Sequence, residues 1–130
     1  MYALDTNSLI YFFKGMGRVA EHLLATPRAE LAIPSIALYE LETGIAKSNS
    51  PERRRTQLDQ LVASVAILPF GAAEARSSAR IRAELERAGT PIGPLDTLIA
   101  GIALHHGAIL VTRNLGEFGR IEGLSVANWY

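Results

Sequence analysis

Four carboxylates stand out for where they fall: Asp5, Glu40, Asp96 and Glu117. They are spread along the whole chain, yet each either ends an apolar run or lies just inside a helical segment. Brought to one place they would repel. Two like charges about 4 Å apart cost on the order of 4 kcal/mol at an effective dielectric near 20. A domain has only about 5–15 kcal/mol of stability to set against several such pairs. Protonation, a neighbouring arginine or a divalent cation would remove the cost. An all-oxygen donor set in a chain without cysteine suits a hard ion, Mg²⁺ or Mn²⁺. Such an ion beside an open site activates water and stabilises charge on a phosphate, the chemistry of phosphodiester hydrolysis. Each acid also has a plainer reading. Asp5 can cap a helix, Asp96 can gain from a helix dipole, and Glu117 can be a surface acid. Glu40 is harder to dismiss, because it falls among Leu38, Leu41 and Ile45, where glutamate seldom lies unpartnered. Glu42, two residues on, faces elsewhere.

The elements that must position these acids are legible from apolar runs and their punctuation. A strand over 2–5 passes into a helix over 7–14, with Asp5, Thr6 and Asn7 as cap and turn formers. Val19, His22, Leu23 and Leu24 suit a second short helix. Residues 31–33 read as a strand before Pro34, and Ser35 then caps a helix with Ile36, Leu38, Leu41 and Ile45 mainly on one side. Ser50, Pro51 and Glu52 open another helix, with Leu58, Leu61, Val62 and Val65 as its stripe. A strand over 65–68, a helix over 72–88 stopped by Gly89, and a helix from Pro94 to near Gly107 follow. A strand over 108–111, a helical turn after Asn114 and an edge strand over 124–127 complete the order. Strands alternating with helices imply parallel pairing, hence an α/β sandwich around a small parallel sheet. In such sheets ligands bind beyond the carboxyl ends of the strands, where Asp5 sits.

Composition narrows the classes further. With 130 residues, 48 % of them hydrophobic and 20 % charged, the chain reads as a single globular domain over 1–130. The absence of cysteine removes disulfides and thiolate-ligated metals. No apolar run reaches the roughly 18 residues that span a bilayer, and the acid at position 5 argues against a signal peptide, so the expected location is cytoplasmic. Lys and Arg together number 13 and Asp and Glu 13, so net charge decides nothing. Gly15–Ala20 matches G-x-G-x-x-A, but Glu30 precedes the second strand instead of ending it, so the glycines are better read as breaking a helix. No phosphate-binding P-loop is present, and a phosphatase using paired aspartates would need one where Asn7 stands.

Read together, these residues resemble the PIN-domain ribonucleases, and within them the VapC toxins of type II toxin–antitoxin modules. The resemblance runs along nearly the whole chain. It is carried by Leu4-Asp5-Thr6-Asn7, by Leu38-Tyr39-Glu40-Leu41 with Gly44, and by Ile81–Leu85 leading to Pro91-Ile92-Gly93-Pro94-Leu95-Asp96. Leu98-Ile99-Ala100, Leu110-Val111-Thr112-Arg113-Asn114, Glu117-Phe118, Ile121–Leu124 and Trp129 complete it. The resemblance implies a PIN-like three-layer sandwich and a Mg²⁺- or Mn²⁺-dependent endoribonuclease, with tRNA the expected substrate. By it, Asp5, Glu40, Asp96 and Glu117 take the catalytic, metal-binding positions. Thr6 is then a hydroxyl hydrogen-bonder, Asn7 an orienting amide, and Thr112 and Asn114 line the far wall. Many relatives carry an aspartate where Asn114 stands, and their fourth acid varies in position and type. The resemblance also implies a VapB-like antitoxin whose tail blocks the site with an arginine among the acids. It implies a homodimer, and operator DNA bound only through the antitoxin complex. The alternative is a non-catalytic PIN fold kept for RNA or protein binding, which a missing central acid would favour; none is missing.

Eleven of the thirteen basic residues are arginine, which suits bidentate phosphate contacts. Arg53, Arg54 and Arg55, and the pair Arg80 and Arg82, are the candidate RNA grips, with a solvated helix face as the competing reading. His22, His105 and His106 lack metal-ligand spacing with the acids and are expected on helix surfaces. Tyr11, Phe12 and Phe13 are expected in the core or at a protein interface.

Overall fold

The first apolar run is strand β1 (Tyr2–Leu4), and Asp5 closes it by capping helix α1 (Thr6–Lys14). The Asp5 carboxylate accepts from the Ser8 amide at 2.9 Å, so the residue belongs to the cap and not, as expected, to the strand. The computed structural model describes residues 1–130. Gly15 ends α1 at φ 67°, a left-handed conformation that strains any side chain, so this glycine breaks a helix as expected. Leu9–Phe13, which would have to be a strand in a dinucleotide-binding turn, lies inside α1.

The order continues through α2 (Val19–Ala25), β2 (Leu31–Pro34), α3 (Ser35–Lys47), α4 (Pro51–Val62) and β3 (Ala66–Leu68). It ends with α5 (Ala72–Arg87), α6 (Pro94–His105), β4 (Ile109–Val111), α7 (Leu115–Phe118) and β5 (Val126–Ala127). The expected elements are all present. Boundaries differ where capping differs: Ser35 is the first residue inside α3, and the N-cap position falls to Pro34 without a side-chain bond. Pro34 itself is the last residue of β2. The last strand keeps only two of the four residues expected.

All strand pairs are parallel, in the order β3-β2-β1-β4-β5. The chain steps outward from β1 to β3 and returns to β4 beside β1, so the sheet reverses direction between β1 and β4. A crevice opens beyond the carboxyl ends of two strands at such a reversal. β2 is buried at all four residues, as a parallel strand covered on both faces must be. Leu4, Ile33, Ile99, Ile102 and Leu110 are essentially inaccessible and hold the sheet to α6 and its neighbours. Burying each such side chain contributes about 1.5–3 kcal/mol. α5 and α6 cross closely at Gly101, where a Cβ would stand 1.8 Å from Ser78 Oγ. That close approach fixes α6, and with it the acid at its start. No helix is long and apolar enough to cross a membrane.

Candidate functional site

Asp5 sits at the sheet reversal. Its amide donates to Val111 O at 3.0 Å, tying the end of β1 to β4. Its side chain is buried, with the residue 5 % exposed. Burial pushes its carboxyl above the usual aspartate range, against hydrogen bonding from Thr112 and Ser8, and the Glu40 charge adds to the rise. Ser8 was not legible as a site residue, yet it is buried and its hydroxyl donates to Val111 O at 3.2 Å. The available signal was its place three residues after a capping aspartate.

Glu40 projects from the middle of α3, half-buried, and accepts from the Thr6 hydroxyl at 2.6 Å. Asn7 is exposed and its side chain makes no hydrogen bond within the chain, so the orienting role implied for it has no contact to rest on here. Asp96 stands in the first turn of α6, set there by Gly93 and by Pro94 at the start of the helix. Burial, then the charges of Asp5, Glu40 and Glu117, push its pKa up to about 6. The charges of all three other acids act on this one carboxyl. Glu117 lies on α7, where Asn114 Nδ2 donates to its Oε2 at 2.7 Å and Asn114 Oδ1 accepts from its amide at 3.3 Å. Thr112 is fully buried, and its hydroxyl accepts from the Asn114 amide at 3.0 Å.

The four acids thus gather at one edge without closing on one another. The single trio of ligating atoms within 4.8 Å of one another lies elsewhere, at Glu74, His105 and His106. Like charges stay apart unless protonated or bridged by a cation. An all-oxygen set with one carboxyl near pKa 6 and no arginine or lysine paired to it fits a hard divalent ion. A cavity of about 590 Å³ lies apart from this pocket, an apolar groove between α5 and α6 flanked by Phe70, Leu85, Ile92 and Leu98.

The arginines separate. Arg55 pairs with Glu42 and, at 3.4 Å, with Asp59, while exposed Arg82 pairs with Glu86 at 2.9 Å. Arg80 is exposed and unpaired. Arg54 lies over the Phe13 ring, 5.0 Å from its centroid, with a buried Nη1 that has no hydrogen-bond partner. Arg53 and Arg54 line a polar cleft of about 380 Å³ with Lys14, Ser48, Ser50 and Gln57. Phe13 is buried, Tyr11 packs edge-on against Tyr130, and Phe12 is partly buried. His105 is exposed on α6 as expected, whereas His22 and His106 are half-buried: His22 stacks on Trp129, and His106 meets the buried Glu74.

With this geometry in hand, comparison with known proteins is direct. The family model for the PIN domain matches residues 2–124. The chain is 38 % identical over 128 residues to the tRNA(fMet)-specific endonuclease VapC of Shigella flexneri, covering 98 % of this chain and 97 % of that protein. It is similar to VapBC2 of Rickettsia felis bound to a promoter DNA fragment, with TM-score 0.91 and 36 % identity over 99 % of this chain and 98 % of that one. The DNA-bound VapBC of Salmonella typhimurium gives the same TM-score, 0.91, at 37 % identity, with 99 % and 98 % covered.

Proposed function

The chain belongs to the PIN-domain family, and from that premise we infer that it is an endoribonuclease, the toxin of a type II toxin–antitoxin pair. It cleaves RNA, with tRNA the substrate, and so inhibits translation. Its partner is a VapB-like antitoxin, and operator DNA is met through that complex, a reading supported by the similar VapBC2 bound to a promoter DNA fragment and the similar DNA-bound VapBC. We place a second copy of the chain beside it as a homodimer. The observation that carries the site assignment is placement: Asp5 is buried at the sheet reversal with its amide bonded to Val111 O, Glu40 is held by the Thr6 hydroxyl, and Asp96 stands in the first turn of α6.

Asp5, Glu40 and Asp96 would hold the Mg²⁺ or Mn²⁺ ion, with Glu117 assisting. When bound, a divalent ion there activates water and neutralises charge on the scissile phosphate. The chain's own groups do the positioning. The Ser8 amide fixes the Asp5 carboxylate, the Thr6 hydroxyl fixes Glu40, and the Asn114 side chain fixes Glu117. Thr112 links two of these, standing against Asp5 while receiving the Asn114 amide. No side chain is offered as a nucleophile.

Asp96→Asn should lower RNA cleavage at least about a hundredfold, since even outer partners of metal ligands count for 10–100-fold. The same variant should stay folded, because it removes a repelled charge. Sequencing RNA ends after controlled expression, beside the Asp96→Asn control, measures both the cleavage and the cut site. Full activity in the folded variant would overturn the site assignment, whereas absence of cleavage by the wild-type chain would favour a binding module.

Phosphate contacts fall to the basic residues. Arg53 and Arg54, free of acidic partners, suit this best; Arg80 is also free, and Arg55 and Arg82 would have to leave their carboxylates. Neutralising Arg53 and Arg54 should lower the slope of log K against log salt by about 0.7 for each phosphate that an arginine no longer grips. Binding measured in metal-free Asp96→Asn protein across several salt concentrations checks it; an unchanged slope would return these arginines to a solvated face.

A further inference from the structure

At the opposite end of α6 from Asp96, three side chains outside the acid pocket meet. His106 Nε2 lies 2.9 Å from Glu74 Oε2, and His105 Nε2 lies 3.8 Å from the same oxygen. We propose that Glu74, His105 and His106 form a second metal site, for a borderline divalent transition ion of the zinc class, clasping the start of α5 to the end of α6. Tetrahedral zinc with bonds of about 2.0–2.1 Å sets its ligand atoms about 3.3 Å apart, a spacing that the two observed separations bracket. Two imidazoles and one carboxylate are the donors that zinc accepts, whereas Mg²⁺ prefers oxygen alone.

Several features prepare the site. Glu74 Oε1 accepts from the Gly71 amide at 3.0 Å, which turns Oε2 toward the imidazoles, as an outer partner does for a metal ligand. The Glu74 side chain is 7 % exposed, while His105 and His106 are 40 % and 25 % exposed, so solvent reaches the nitrogens. Neighbouring residues on a helix normally diverge. Here His106 is the C-cap just beyond α6, and the two rings stand edge-on with centroids 5.0 Å apart, so both reach one oxygen. The C-terminal end of α6 also favours positive charge. A simple Glu74–His106 bond accounts for the 2.9 Å contact but not for the second imidazole turned to the same oxygen. Asp96 is about 14 Å away along the helix at 1.5 Å per residue, so the two sites do not share ligands. Three protein ligands leave the fourth position to solvent.

The test is calorimetric titration of Zn²⁺ into the full chain with Mg²⁺ in excess to fill the acid pocket. One Zn²⁺ per chain should bind, and His105→Ala should weaken it at least about tenfold. His105→Ala retains the Glu74–His106 contact, and circular dichroism checks that it folds. Co²⁺ in place of Zn²⁺ should give the strong visible absorption of a four-coordinate nitrogen-containing site, abolished in His105→Ala. Zn²⁺ binding that is absent, unchanged in His105→Ala, or abolished instead by Asp5→Asn would overturn the proposal, as would the weak spectrum of a six-coordinate oxygen site.

Discussion

At the N-terminal end of α6, Asp96 faces three more carboxylates, and burial with their charges pushes its pKa up to about 6. At the C-terminal end, hydrogen bonds from its own amide and that of Gly71, joined by His106, hold the Glu74 carboxyl below its usual range. Both groups are carboxylates near helix ends, and their neighbours alone separate them. The first cluster carries negative charge that only a cation or a proton relieves. The second already matches its acid to imidazoles. A hard ion suits the one and a borderline ion the other, because oxygen and nitrogen donors differ in what they bind.

The largest effect that would test this contrast is metal-dependent stability. Mg²⁺ or Mn²⁺ at a hundredfold excess over Kd should stabilise the fold by about 2.7 kcal/mol. Asp5→Asn, which keeps the helix cap, should cancel most of that gain, whereas His105→Ala should not touch it. Thermal scans with and without EDTA decide it, and an equal fall in both variants would mean the ends are not independent. Next in size is the link between them. Gly101→Ala places a methyl group against Ser78 in the close crossing of α5 and α6 and should cost about 1–3 kcal/mol. Denaturant unfolding measures it, and a neutral result would show that α6 is free to shift.

The smallest effect is in pH, and its sign differs at the two ends. Asp96 has a folded pKa of about 6 against an ordinary 3.8, so the metal-free fold gains stability as pH falls below about 6, until the unfolded chain also protonates near 3.8. Glu74 contributes above its ordinary 4.5 and loses that contribution as pH falls through its lower folded value. Metal-free Asp96→Asn should therefore be more stable than wild type at pH 7, by about 1 kcal/mol once solvent screening of a half-buried group is allowed for. The difference should shrink toward pH 4. A difference constant with pH would mean that charge repulsion is not its source.

Much of the fold could be read from local signals. Apolar runs closed by Asp5, Pro34 or Gly89, and helices opened by Pro51 and Pro94, act within a few residues, so they appear in the sequence as written. Asp5, Asp96 and Glu117 could be read as candidates for the same reason, since each lies near an element end, whereas Glu40, mid-helix, stood out by its apolar neighbours. The pairing of Arg55 with Glu42, by contrast, joins two helices and has no signature in spacing. The same holds for Glu74, whose place three residues past Gly71 signals a cap and nothing of the imidazoles it meets.

What the sequence by itself determined is therefore the order of elements, the donor types at their ends and the likeness to a nuclease family. Only the tertiary structure decided that three acids from separate elements act on the carboxyl of a fourth, which arginines remain unpaired, and that His105 and His106 reach Glu74. Periodicity and capping depend on neighbours along the chain, whereas charge interaction falls off with distance in space, and that distance is set by the sheet order and by the Gly101 crossing.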